Sequence, residues 1–249
     1  MNRWLLGYLL WCWCHVLSAQ EVEVYSTQPR LPPPERIVNM QLNNWKKVEI
    51  PFQYVNDLII LEVTFNQFLS LKFIFDTGAE HTILTKREIT DLQGIRYERQ
   101  FKLIGADLTT ELYAYLVTNI NLKIGRLMAP SEAILVLEED YFKYEELTGL
   151  EIHGIIGANF FRRFVVEIDY QSQSIILSNP KSYRVDTDRF TRMEVEIFRS
   201  KPYMYADLNI LGDSIQRVKL LIDTGASLPL LLYTHTDTSL FVPPNAVPG

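Results

Sequence analysis

Two stretches of this chain end an apolar run in the same four residues. Phe73, Ile74 and Phe75 lead into Asp76-Thr77-Gly78-Ala79, and Leu220, Leu221 and Ile222 lead into Asp223-Thr224-Gly225-Ala226. The two Asp are 223 − 76 = 147 positions apart. A carboxylate at the end of a buried strand is costly unless it is hydrogen-bonded or paired, and here two stand in matching contexts. Brought within about 3 Å, two carboxylates cannot both ionise, so they share one proton and titrate as a pair. The ionised member takes a proton from a bound water, and the protonated member polarises a substrate carbonyl. Gly78 and Gly225 permit close backbone approach beside each carboxylate, and backbone N–H groups there hold the carboxylates in plane. A lone Asp-Thr-Gly reads as a turn and arises by chance in roughly one chain in twenty of this length. Two copies, each after an apolar strand and each followed by Ala, do not fit that reading.

The elements that position these residues are mostly strands. Runs 48–52, 58–65 and 71–75 are short, apolar and separated by Asn-Asp and Asn-Gln turns. Residues 85–92 read as a short helix, capped by Thr85 with Glu88 three residues on. Runs 101–104 and 110–117 flank Gly105-Ala106-Asp107, a hairpin with a glycine-containing tip. Residues 120–124 and 132–137 read as two further strands, with Gly125-Arg126 turning between them, and the acidic, aromatic run 138–147 is the best helix candidate. After His153-Gly154-Ile155-Ile156-Gly157, runs 165–169 and 174–178 form a hairpin about Tyr170-Gln171-Ser172-Gln173.

The polar connection 179–191 is the one good boundary, and runs 193–198, 203–210 and 218–222 then repeat the strand pattern that precedes Asp76. Aligning the two Asp places Val48-Glu49-Ile50 on Val195-Glu196-Ile197 without a gap. One long-period repeat means two similar lobes rather than a solenoid. The first copy runs 180 − 76 = 104 residues past its Asp and the second 249 − 223 = 26, with no second Gly-Ile-Ile-Gly. The second lobe therefore reads as partial, and the chain as truncated at its C-terminal end.

Hydrophobic content of 47% and charged content of 22% are ordinary globular values, and thirteen Tyr, thirteen Phe and four Trp favour strands. A net charge of −6 without a block of like charge argues against a nucleic-acid footprint. Arg3, the apolar run 4–17 and Ser18-Ala19 read as a cleaved signal segment, residues 1–19, too short for a spanning helix. Both cysteines, Cys12 and Cys14, lie inside it, so the mature chain holds no disulfide and relies on its core. Residues 20–45, with Pro29, Pro32, Pro33 and Pro34, read as an extended arm. No Asn-x-Ser/Thr acceptor occurs, which leans, with the missing disulfides, towards a bacterial envelope protein: periplasmic, cell-surface or secreted.

The motifs FDTGA, IDTGA and HGIIGANFF resemble the aspartyl protease superfamily, which includes pepsins and retroviral proteases. The tail Phe160-Phe161-Arg162-Arg163-Phe164, ahead of Ile168-Asp169-Tyr170, resembles its bacterial exported, two-lobed members, which often carry a PDZ module after the protease part. The resemblance implies an all-β, two-lobed fold, with a first lobe over 46–180 and an incomplete second lobe over 192–249. It makes Asp76 and Asp223 the catalytic pair, and Thr77 and Thr224 the threonines that bond across the lobe junction. Gly105, Ala106 and Asp107 take the place of the substrate-covering flap, and Ile155-Ile156-Gly157 that of the motif packed behind the loop. It implies a polypeptide substrate and no cofactor. Ala79 and Ala226 stand where pepsins usually have a hydroxyl residue; losing that outer bond to the charged form raises the carboxyl pKa and moves the optimum from strong acid towards weak acid or neutral.

Other chemistries fit less well. His81, His153 and His235 are isolated, without the spacing of a metal site. No Gly-x-Ser-x-Gly, phosphate loop or Gly-x-Gly-x-x-Gly occurs. A glycosidase also uses two carboxylates, but does not need Asp-Thr-Gly twice in a repeat. The serious rival is a peptide-binding protein without catalysis on the same fold, or a fragment inactive without its missing part.

Overall fold

The computed structural model describes residues 46–105, 110–211, 214–233 and 242. The signal segment, the extended arm and the flap residues Ala106 and Asp107 lie outside the described residues. In chain order the first lobe runs β1 (Lys47–Pro51), β2 (Gln53–Val55), β3 (Leu58–Phe65), β4 (Leu69–Asp76), β5 (Ile83–Leu84), α1 (Glu88–Leu92), β6 (Arg99–Ile104), β7 (Glu111–Ile124) and β8 (Leu127–Leu137). It continues with α2 (Tyr144–Thr148), β9 (Gly154–Gly157), α3 (Ala158–Phe161), β10 (Val165–Asp169) and β11 (Ser174–Ser178). Then follow β12 (Glu196–Phe198), β13 (Lys201–Leu211) and β14 (Ser214–Leu221).

Eight strands pair in the order β2-β3-β4-β9-β5-β8-β7-β6, and a further β3–β7 pairing closes β3, β4, β9, β5, β8 and β7 into a barrel. Closure leaves no free edge among those six strands. A three-stranded sheet, β1-β11-β10, lies beside it. Val48 and Ile50, alternating inward along β1, and Ile175 and Leu177 of β11 join Phe65, Phe73, Phe75 and Phe161 in one core. A third sheet, β12-β13-β14, holds the second Asp-Thr-Gly at its end. The fold is all-β, as the strand pattern predicts.

Several expectations from sequence are corrected. Runs 110–117 and 120–124 are one strand, β7, because Asn119 takes a left-handed backbone (φ 59°) and the register slips there instead of the strand ending. One long strand can thus pair with β6 at one end and with β3 at the other. The partner β8 starts at Leu127, five residues early, with Pro130 accommodated near that same irregularity.

The helix expected over 138–147 is only α2. Glu138 still donates its N–H to Tyr113 O across the sheet, Tyr141 and Phe142 pack against Leu103, Leu112 and Leu137, and Lys143 is left-handed. Burial of the two aromatic rings wins over local helix propensity. Thr85 caps nothing: α1 begins at Glu88 with Arg87 at its N-cap and no side-chain cap, while Thr85 is buried and its N–H binds His153 O.

The gapless repeat alignment also gives way. The two-residue turn between β2 and β3 uses Asn56 and Asp57, both left-handed; between β12 and β13 the same turn uses Arg199 and Ser200. The counterpart of β12 is therefore β2, not β1. In the next hairpin Phe73 faces Leu61, whereas Leu220, 147 positions after Phe73, faces Met204 instead of Leu208. The two lobes share hairpin architecture, with length differences upstream of each Asp.

The barrel depends on the apolar strand that carries Asp76. Phe75 is buried and meets Phe161 edge-to-face at 4.9 Å. Phe75→Ala should destabilise the chain by about 3–5 kcal/mol, read as a lower urea midpoint; a change under about 1 kcal/mol would place this ring outside the core that holds the site.

Candidate active site

The first Asp-Thr-Gly leaves the barrel at the end of β4, where β9 runs parallel to it. Ile74 pairs with Ile155, Phe75 with Ile156 and Asp76 with Gly157. Beyond the strand, Ala158 N–H binds Ala79 O and Asn159 N–H binds Glu80 O, so α3 holds the loop from behind. At Gly157 a Cβ would come within 2.4 Å of His81 O, which is why this motif ends in glycine. The Ile155-Ile156-Gly157 stretch thus packs behind the loop.

The second Asp-Thr-Gly arrives from β14 and crosses the first. Thr77 N–H donates to Thr224 Oγ1 at 3.1 Å, and Thr224 N–H donates to Thr77 Oγ1 at 3.1 Å. Each hydroxyl then donates onward, Thr77 to Ile222 O at 2.6 Å and Thr224 to Phe75 O at 2.9 Å. The two threonines therefore tie the loops together in both directions.

Gly78 faces the Asp223 carboxylate so closely that a Cβ there would lie 2.4 Å from its Oδ2. Gly225 faces Asp76 in the same way, at 2.3 Å from Cγ. No real Cβ sits that near, so only glycine admits both carboxylates to one place.

The two carboxylates differ in surroundings. Asp76 Oδ1 accepts from Gly78 N–H at 2.6 Å and Ala79 N–H at 3.0 Å, and the residue is half-buried. Asp223 Oδ1 accepts from Gly225 N–H at 2.8 Å, and the residue is exposed. Burial first, then the charge of Asp223 and a hydrogen bond with it, push the Asp76 carboxyl up to about 7, against the pull of the Gly78 and Ala79 amides. The upward direction agrees with the sequence expectation; the main cause is burial and the facing carboxyl rather than a missing hydroxyl at Ala79.

Among the remaining candidates, Gly105 closes the β6–β7 hairpin by donating its N–H to Thr110 O at 2.8 Å. His81 is buried beside Glu80, 3.7 Å away, rather than facing solvent. His153 pairs with Lys72: its N–H binds Lys72 O, and its Nδ1 accepts Lys72 N–H at 3.2 Å, which requires a neutral ring on that nitrogen. Burial first keeps the pKa of His153 low. Sequence reasoning missed Tyr144, whose hydroxyl interacts electrostatically with both Asp76 and Asp223. No spacing signal could have found it, since it lies 144 − 76 = 68 positions past the Asp-Thr-Gly it approaches.

A β-barrel that ends one Asp-Thr-Gly loop against a second defines the aspartic protease fold. Residues 61–160 match the aspartyl protease family. Among solved structures it is similar to a retropepsin-like aspartic protease from Rickettsia conorii, with 23% identity and a TM-score of 0.37 over 53% of this chain and 90% of that one. It is also similar to basic 7S globulin from soybean, with 10% identity and a TM-score of 0.43 over 64% of this chain and 57% of that one. No curated protein matches the chain.

Two outcomes test this geometry. Gly225→Ala should drive a methyl group into Asp76 and separate the loops; hydrogen exchange at the Thr77 and Thr224 amides should rise, and an unchanged rate would contradict the close approach. The raised Asp76 carboxyl also links stability to pH. An acid pushed above its unfolded value of about 3.9 contributes stability that is complete below that value and is lost as pH rises through about 7. The urea midpoint should therefore fall between about pH 4 and pH 7, and Asp76→Asn should flatten that limb; a parent midpoint that rises over this window would refute the shift.

Proposed function

We propose that the chain is an aspartic endopeptidase whose water nucleophile is activated by Asp76 and Asp223. The observation that carries this reading is the mutual fit of the two loops, in which each carboxylate lies against the other loop's glycine. One proton shared between such carboxylates is the established behaviour of aspartic protease dyads. The ionised carboxylate takes a proton from water as its oxygen attacks the scissile carbonyl carbon, while the protonated one hydrogen-bonds to the carbonyl oxygen. The tetrahedral adduct then collapses: the amide nitrogen receives a proton from the dyad, the C–N bond breaks, and an acid and an amine leave. The substrate is an extended polypeptide laid across the junction of the lobes. The N-terminal Arg3, apolar run and Ser18-Ala19 support export of the protein. No helix among the described residues is long and apolar enough to cross a membrane.

A peptide-binding protein without turnover is the second reading, favoured by one observation: Asp223 is exposed and, among the described residues, accepts a backbone hydrogen bond from Gly225 alone. The two readings separate on one substitution. The full chain should hydrolyse an unfolded protein substrate, and Asp76→Asn should lower turnover by about 10²–10⁴-fold or more. Activity of the parent should fall as pH rises above about 7, where the shared proton leaves. Undiminished turnover by Asp76→Asn would overturn the endopeptidase reading, and peptide binding with no turnover in the parent would establish the second.

A further inference from the structure

Tyr144 takes no part in the barrel closure or the threonine exchange, yet its hydroxyl interacts electrostatically with both Asp76 and Asp223. The left-handed backbone of Lys143 (φ 47°) turns the chain into α2 and sets Tyr144 at its start. The ring packs, with Val55 and Leu150, on Leu58, Ile60, Ile74 and Ile152, and stacks on Phe142 at 5.2 Å and 13°. Ile74 decides which way this cluster faces. Leu71, Phe73 and Phe75 point into the main core, whereas Ile74 points to the opposite face of β4. Alternation puts Asp76 on the Ile74 face. Tyr144 therefore shares the carboxylates' side of the strand.

Its hydroxyl has the properties of an unused donor. The phenol interacts with Asp76, Asp223 and Asp140, and burial first and those charges next push its pKa up, so it keeps its proton at every working pH. The residue is half-buried, and its hydroxyl makes no hydrogen bond among the described residues. A half-buried phenol normally finds a partner. Asp140 meets Lys86 through Oδ2 at 3.4 Å, its buried Oδ1 accepts no hydrogen bond among the described residues, and the Tyr144 hydroxyl makes none to it. An extended peptide over the dyad brings backbone carbonyls into this space, and a carbonyl is the acceptor that a phenol O–H lacks here.

We propose that Tyr144 is a substrate-positioning residue, its hydroxyl donating a hydrogen bond to a backbone carbonyl of the bound peptide next to the scissile bond while its ring walls the cleft on the Ile74 side. The proposal rests on the endopeptidase reading for its kinetic form, but its binding form stands separately. A purely structural ring would be replaced by Phe without effect; a donor would not.

The test uses the full chain carrying Asp76→Asn, which holds peptides uncut, to enrich ligands from a random decapeptide pool. Adding Tyr144→Phe should weaken the enriched peptide about 5–10-fold in calorimetry, the range for one hydrogen bond, with an unchanged melting temperature. In the chain with Asp76 intact, Tyr144→Phe should raise KM by a similar factor while kcat stays within about twofold. Equal affinity with and without the hydroxyl, or failure to enrich any peptide, would overturn the proposal. Absence of hydrolysis by the parent together with the affinity loss would overturn the endopeptidase reading and leave Tyr144 as a peptide-binding donor.

Discussion

Thr77 and Thr224 exchange backbone and hydroxyl hydrogen bonds at the point where two loops cross, and the site depends on that exchange. Each hydroxyl accepts from the opposite amide and donates to a carbonyl of the opposite strand, so each loop is tied to the other by both a donated and an accepted bond. Hydrogen bonds linked in such a circuit polarise one another. One residue before each threonine stands a carboxylate, and one residue after it a glycine. Locking the threonines therefore sets carboxylate against glycine in both directions with a single motif.

The support on the two sides of this junction is unequal. Asp76 ends a strand that is central in a closed barrel, with β3 on one side and β9 on the other. Asp223 follows β14, which has β13 as its partner. Apolar residues of this third sheet, among them Ile197, Phe198 and Ile215, are exposed. The position of Asp223 is thus borrowed from the first lobe through Thr224. The same inequality explains the electrostatics. The carboxyl seated in the barrel end is desolvated and faces another acid, and the two amides that favour its charge do not cancel that pressure.

Much of this was legible because period and motif carry it. Strand β3 and the β10–β11 hairpin follow directly from apolar alternation and turn residues, and two Asp-Thr-Gly copies after apolar runs announce a paired site. What stayed hidden has physical causes. Tyr141 and Phe142 are polar-flanked aromatics in an acidic run, which reads as helix until burial against the β6–β7 hairpin is known. Asn119 gives no warning that a strand continues through it. Tyr144 comes to the Ile74 face of β4 through the tertiary packing of a loop distant in sequence.

The repeat shows most clearly why alignment in sequence and equivalence in space part company. A two-residue turn with both residues left-handed normally selects Asn, Asp or Gly, and Asn56-Asp57 obeys that preference while Arg199-Ser200 does not. No side-chain signature marks the second turn, so nothing in the chain signals the length difference around it. Strand pairing dictates the geometry instead, because twist-matched hairpins demand that backbone whatever residues occupy it. Among the described residues the length differences lie upstream, where a hairpin can lengthen or shorten at its solvent end. They vanish at Asp-Thr-Gly, where the threonine exchange tolerates no slip and a methyl group on either glycine would strike a carboxylate.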